Sequence, residues 1–161
     1  MRQFAPWRAF ACALAAVIVS TPSLTRAADG QQSTSPRHVG VLLVAWAPVD
    51  KQPQQLREGL REAGYIEGRD VILEWRFAEG HFDRVASLAA ELVERKVDVI
   101  VVDSTPAAIA AKRSTSVIPI VMVTVGDPVG SGLVASLAQP GGNVTGLSLM
   151  MPDLGAKRLQ L

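Results

Sequence analysis

The sequence predicts an α/β protein built on a parallel, doubly wound sheet. Apolar runs short enough to be strands recur from Val39 onward, each followed by a stretch with helical spacing. Most of these runs lack polar alternation, so both faces of their strands are expected to be covered. Parallel neighbours need a connection of about a dozen residues, which the intervening helices supply as right-handed crossovers.

The chain divides before that sheet begins. Arg2 and Arg8 form a basic start, Ala9 to Val19 is apolar, and Thr25-Arg26-Ala27 puts small residues at the −3 and −1 positions of a cleavage site. Residues 1–27 therefore have the layout of a secretory signal peptide, and Ser20-Thr21-Pro22 ends the apolar run short of the roughly 20 residues a membrane span needs. Cys12, the single cysteine, begins that run rather than following it, so neither a lipid anchor nor a disulfide is expected in the mature chain. Without residues 1–27 the balance becomes 13 basic against 15 acidic residues, interleaved along the chain. That pattern excludes nucleic acid and an anionic membrane as partners. Residues 28–36 are polar without periodicity and read as a flexible leader.

The lobe is expected over residues 37–149. Val39 to Val44 is the first strand, and Gln54 to Ala63 the first helix, with Leu56, Leu60 and Ala63 on one face and Gly64 past its end. Val71, Leu73, Trp75 and Phe77 alternate with Glu74 and Arg76, the period of a strand near an edge. Asp83 is placed to cap a second helix carrying the stripe Val85, Leu88, Ala89, Leu92 and Val93. Val97 to Val102 is a buried third strand, Thr105-Pro106 opens an Ala-rich third helix to Arg113, and Ile120 to Val125 is a fourth strand at the centre. Gly126 breaks that strand. Asp127 and Pro128 then suit the N-cap and first position of a fourth helix of about three turns, stopped by Pro140-Gly141-Gly142. Asn143 to Leu149 makes a fifth strand, and residues 150–161 read as the start of a further helix.

In a sheet of order 2-1-3-4-5 the ligand crevice lies at the carboxyl ends of the strands, where the order reverses between the first and third. That rule selects Trp46, Ser104, Thr105, Gly126 and Asp127 as ligand-binding candidates. Helix N-termini at Thr105 and Asp127 offer backbone N–H groups to a carboxylate, Ser104 and Thr105 add hydroxyls, and Trp46 offers a stacking face. Each residue also has a plain structural use, the caps as caps and Trp46 in local packing. A small solute bearing a carboxylate, such as an amino acid, fits the donors.

No catalytic set emerges. His81 with Glu79 and Asp83 fits a solvated helix entry better than a metal site, and no cofactor is expected, because the chain has no G-x-S-x-G elbow, phosphate loop or dinucleotide fingerprint. A phosphoreceiver domain needs acidic Mg²⁺ ligands after its first strand, where Ala45-Trp46-Ala47 stands. The remaining enzymatic alternative is a small secreted α/β enzyme using Asp103 or Asp127 as general base.

Longer motifs carry a resemblance. Gly59-Leu60-Arg61-Glu62-Ala63-Gly64-Tyr65, Ala90-Glu91-Leu92-Val93, Thr105-Pro106-Ala107-Ala108, Gly126-Asp127-Pro128-Val129-Gly130 and Pro140-Gly141-Gly142-Asn143, in this order, resemble the ABC-transporter substrate-binding proteins of the tryptophan/tyrosine-binding type. The resemblance implies the first lobe of a type I periplasmic-binding-protein-like fold: a periplasmic receptor, not an enzyme, with two lobes that close on a solute and present it to an inner-membrane ABC permease. It puts the ligand loops at Thr105-Pro106 and Gly126-Asp127-Pro128. Asp103-Ser104 departs from the smaller, often glycine-containing sequence expected there, and such receptors are about twice as long as this chain. Residues 150–161 are accordingly expected to be a truncated start of the second lobe, and the chain alone to be incompetent for transport.

Overall fold

The computed structural model describes residues 35–45 and 51–148. The expectations for the signal segment, Trp46 and residues 149–161 lie outside the described residues. Within them the chain forms one five-stranded sheet, order β2-β1-β3-β4-β5, with every neighbouring pair parallel. Its strands are β1 Arg37–Leu43, β2 Val71–Phe77, β3 Val99–Val102, β4 Ile120–Val125 and β5 Val144–Ser148. Helices α1 Lys51–Glu62, α2 Val85–Glu94 and α3 Thr105–Ser114 fill the first three crossovers. The doubly wound order is the one the alternating pattern predicts.

Successive strand residues face opposite sides, and here both sides are apolar. Val39, Val41, Leu43, Val99 and Val101 meet Leu56 and Leu60 of α1. Leu42, Ile100, Val102, Ile120 and Met122 meet Leu88 and Leu92 of α2 and the alanine stripe Ala107, Ala108 and Ala111 of α3. Burying each large aliphatic side chain contributes about 1.5–3 kcal/mol, so the two layers supply most of the driving force for this order.

Three expectations need correction. First, α1 starts at Lys51, earlier than Gln54, and β3 starts at Val99, because the chain turns at Lys96 with φ 54° before Asp98 N–H bonds His38 C=O at 2.7 Å. Second, Asp83 is no cap. It sits inside a 3₁₀ turn, Phe82–Arg84, that runs directly into α2, and the extended backbone a cap requires belongs to His81, whose side chain makes no cap bond.

Third, the helix after β4 does not form. Residues 126–143 run as turns and irregular backbone. The start is as predicted: Asp127 Oδ1 accepts from Gly130 N–H at 2.8 Å, and Asp127 C=O accepts from Ser131 N–H at 3.1 Å. The turn then stops at Gly132, whose φ of 69° is left-handed. Two glycines within its first five positions, Gly130 and Gly132, cost a helix roughly 1 kcal/mol each relative to alanine, and the cap does not offset that. Tertiary contacts hold the segment instead. Leu133 and Val134 are buried in the α3 layer, and Lys112 Nζ donates to the carbonyls of Gly132 at 2.7 Å and Leu133 at 3.0 Å.

β5 joins β4 through a register shift between Met122 and Val125. Gly146 makes that approach possible: its φ is 132°, and a Cβ there would lie 2.2 Å from Met122 O. Gly146→Ala is expected to lower stability by about 2–4 kcal/mol. Urea denaturation followed by circular dichroism checks this, and an unchanged midpoint would contradict the β4–β5 pairing described.

Candidate functional site

The order reverses between β1 and β3, and Asp103 stands at that point. It follows the last residue of β3, is 6% exposed, and both carboxylate oxygens accept from Val44 N–H, at 3.1 Å each. Thr124 Oγ1 donates to Asp103 C=O. One residue therefore ties together the carboxyl ends of β1, β3 and β4. Burial pushes the Asp103 carboxyl above the usual carboxylate range, and the Val44 N–H, followed by the neighbouring Ser104 hydroxyl, pulls the other way without cancelling it.

Ser104 occupies the N-cap position of α3, with extended backbone (φ −152°, ψ 161°) and its C=O accepting from Ala108 N–H at 3.0 Å. Its side chain makes no cap bond. Although it lies beside Asp103, the Oγ is buried and has no partner of normal hydrogen-bond geometry. Thr105 is the first helical residue, half-buried, with Pro106 behind it where no N–H is needed. The first turn of α3 thus points its N–H groups at the carboxyl edge of the sheet, with a hydroxyl beside them.

Gly126 and Asp127 follow β4 on the same edge, but as a turn. The two helix N-termini expected from the sequence reduce to one, that of α3, among the described residues. Asp127 remains exposed, with Gly130 packed so closely that a Cβ there would lie 2.1 Å from Asp127 Oδ2.

Sequence reasoning missed the β2–α2 loop. Ala78 N–H bonds Leu43 C=O at 2.8 Å and Gly80 N–H bonds Val44 C=O at 2.7 Å, folding the loop over the end of β1. Glu79 and Gly80 turn it with φ of 52° and 80°, and Phe82 then stands 66% exposed beyond the carboxyl end of β2. The Glu79-Gly80 pair and a lone Phe among polar residues were the available signal. Two shallow recesses lie elsewhere, about 310 Å³ beside Arg76, Glu91 and Arg95 and about 240 Å³ beside Arg57, Arg61 and Tyr65. Among the described residues no cluster of His, Cys, Asp or Glu could hold a metal ion, and no helix is long and apolar enough to cross a membrane.

Residues 39–156 match the family model described as ABC transporter substrate binding protein. A tyrosine-binding protein of Clostridioides difficile is 38% identical over 117 residues, which cover 72% of this chain and 34% of that protein. A Streptococcus pneumoniae ABC domain solved in complex with L-Trp is 36% identical with a TM-score of 0.64, over 71% of this chain and 39% of that one. A conserved domain protein from Vibrio cholerae is 37% identical with a TM-score of 0.69, over 78% and 43%. The chain thus spans about a third of the length of the curated relative and about two fifths of the solved structures.

The raised Asp103 carboxyl has a consequence for stability. A group that holds its proton more tightly when folded favours the folded state at low pH, and that advantage is lost as pH rises from the ordinary carboxylate range through the raised folded value. The melting temperature of Asp103→Asn minus that of the native chain is therefore expected to increase as pH rises across that window. A difference that stays flat from pH 3.5 to pH 8 would show that burial does not penalise this carboxylate.

Proposed function

Because the chain belongs to the ABC transporter substrate binding protein family, we propose that it forms one wall of an importer's solute receptor, taking an amino acid at the carboxyl edge of its sheet. The observation that carries this reading is the junction at Asp103, where the α3 N-terminus and the buried Ser104 hydroxyl are held beside the switch point. N–H groups at a helix start favour a carboxylate, by about 0.3–1 kcal/mol from the dipole alone and more when partly buried. Ser104 and Thr105 add side-chain hydrogen bonds to that carboxylate. The Gly126 backbone lines the far side, and the exposed Asp127 carboxylate takes the ammonium.

Trp46 and Phe82 provide aromatic surface for the solute's side chain. An aromatic solute accords with the relatives, one a tyrosine-binding protein and one solved with L-Trp. The signal-like residues 1–27 support export to the periplasm, where the family's partner is a membrane permease. The family's closing second lobe belongs to the length of the relatives that this chain does not span, so a full-length receptor carrying these loops is the suitable vehicle for a test.

Calorimetric titration of that receptor with L-tyrosine and L-tryptophan is expected to give one-to-one binding without turnover. Ser104→Ala, Thr105→Val and Trp46→Ala should each weaken it about five- to tenfold, the value of one hydrogen bond or one stacking contact. Unchanged affinity in all three would move the site elsewhere, and product formation abolished by Asp127→Asn would establish an enzyme.

A further inference from the structure

The outer edge of β2 carries chemistry that the ligand site does not use. β2 lies at the end of the sheet and pairs with β1 from Arg37↔Val71 to Leu43↔Phe77. Arg37 N–H bonds Asp70 C=O, and Ala78 N–H bonds Leu43 C=O. In a parallel ladder alternate residues bond to the same neighbour, so Asp70, Ile72, Glu74, Arg76 and Ala78 face β1, and Val71, Leu73, Trp75 and Phe77 turn their N–H and C=O groups outward. Val71 C=O is closed by Gly68 N–H at 2.8 Å. Trp75 C=O is closed by Arg76 Nη1 at 2.8 Å. Leu73 and Phe77 have no outward partner among the described residues.

Arg76 is held in that position. Its Nε donates to Glu91 Oε2 at 2.8 Å, Glu74 lies 3.8 Å from Nη1, and the side chain is only 16% exposed. Arg95 adds a second cation 3.9 Å from Glu74. A guanidinium capping a strand's outward carbonyl is a way of blunting an edge that would otherwise template another strand.

We propose that β2 is a docking edge for a second copy of this chain, latched by Arg76. Antiparallel pairing about a two-fold axis through Trp75 sets Glu74 of each copy opposite the partner's Arg76. It sets Leu73 opposite the partner's Phe77 and Trp75 opposite the partner's Trp75 on the other face. In this register the residues with outward groups oppose one another, so the backbone bonds and the charges are satisfied together. The neighbouring registers that keep the backbone bonds put Glu74 opposite the partner's Glu74, or Arg76 opposite the partner's Arg76, and like charges opposed across a ladder are unfavourable. The two-fold arrangement is thus selected by charge. The same guanidinium has two competing positions, on its own Trp75 carbonyl in the single copy and on the partner's Glu74 in the pair.

Sedimentation velocity on the full chain tests this, with folding checked by circular dichroism. Glu91→Gln, an exposed change on α2, loosens the latch and should tighten dimer formation about tenfold, and Arg76→Ala should raise the dimer fraction less, because it also removes the cross-strand ion pair. Adding Glu74→Lys, or Phe77→Pro, whose lost N–H points outward, to Glu91→Gln should return the chain to the native dimer fraction or below. A Glu91→Gln chain that associates no more than the native one overturns the proposal. So does an association that neither added substitution reduces.

Discussion

The arrangement of the lobe depends on one buried carboxylate. Asp103 gives both oxygens to the Val44 N–H and its carbonyl to Thr124, so the ends of β1, β3 and β4 are joined where the crossovers change direction. At that point a parallel sheet leaves a gap, because the chains leaving β1 and β3 turn to opposite faces. The backbone groups lining the gap lose their ladder partners, and a buried unpaired donor costs about 1–3 kcal/mol. A carboxylate there satisfies the Val44 donor, at the expense of its own desolvation, which is why its pKa rises. Ser104 then enters α3 in the cap position with its hydroxyl among these groups.

Much of the fold was legible in the sequence because the succession of apolar runs and helical stripes decides it. β2 and β4 have the limits the pattern assigns, Val71–Phe77 and Ile120–Val125, the second ended by Gly126. The parallel pairing followed from crossover length, and the place of β2 at an edge from its polar alternation. What the pattern did not reveal was the segment after β4, where cap chemistry at Asp127-Pro128 pointed to a helix and the glycines at 130 and 132 opposed it. Both local signals were real. The outcome rested on contacts distant in sequence, the Lys112 ammonium on two carbonyls and the burial of Leu133 and Val134.

The candidate site was legible to the same extent, and for the same reason. The switch-point rule finds Ser104, Thr105, Gly126 and Asp127 because it needs only strand order, and the structure brings all four to the carboxyl edge. It does not find Phe82, which reaches that edge through a loop bent by Glu79 and Gly80 and bonded to β1. A residue's place in a loop is set by backbone bonds that periodicity does not encode.

The edge therefore has a stiff part and a softer one. α3 is fixed from below by its alanine stripe and at its start by the Asp103 junction, so the donors of its first turn are preorganised. Preorganised donors bind without an ordering cost, which suits a group common to many solutes, such as a carboxylate. The segment after β4 has irregular backbone and is held by Lys112, by the Asn143 amide and by the buried Pro128, Leu133 and Val134, with Asp127 and Val129 exposed on it. Substitution at its exposed residues leaves those core contacts in place. In the proposed reading the helix start sets the class of solute bound, and the turn at Asp127 helps set which member of the class is preferred.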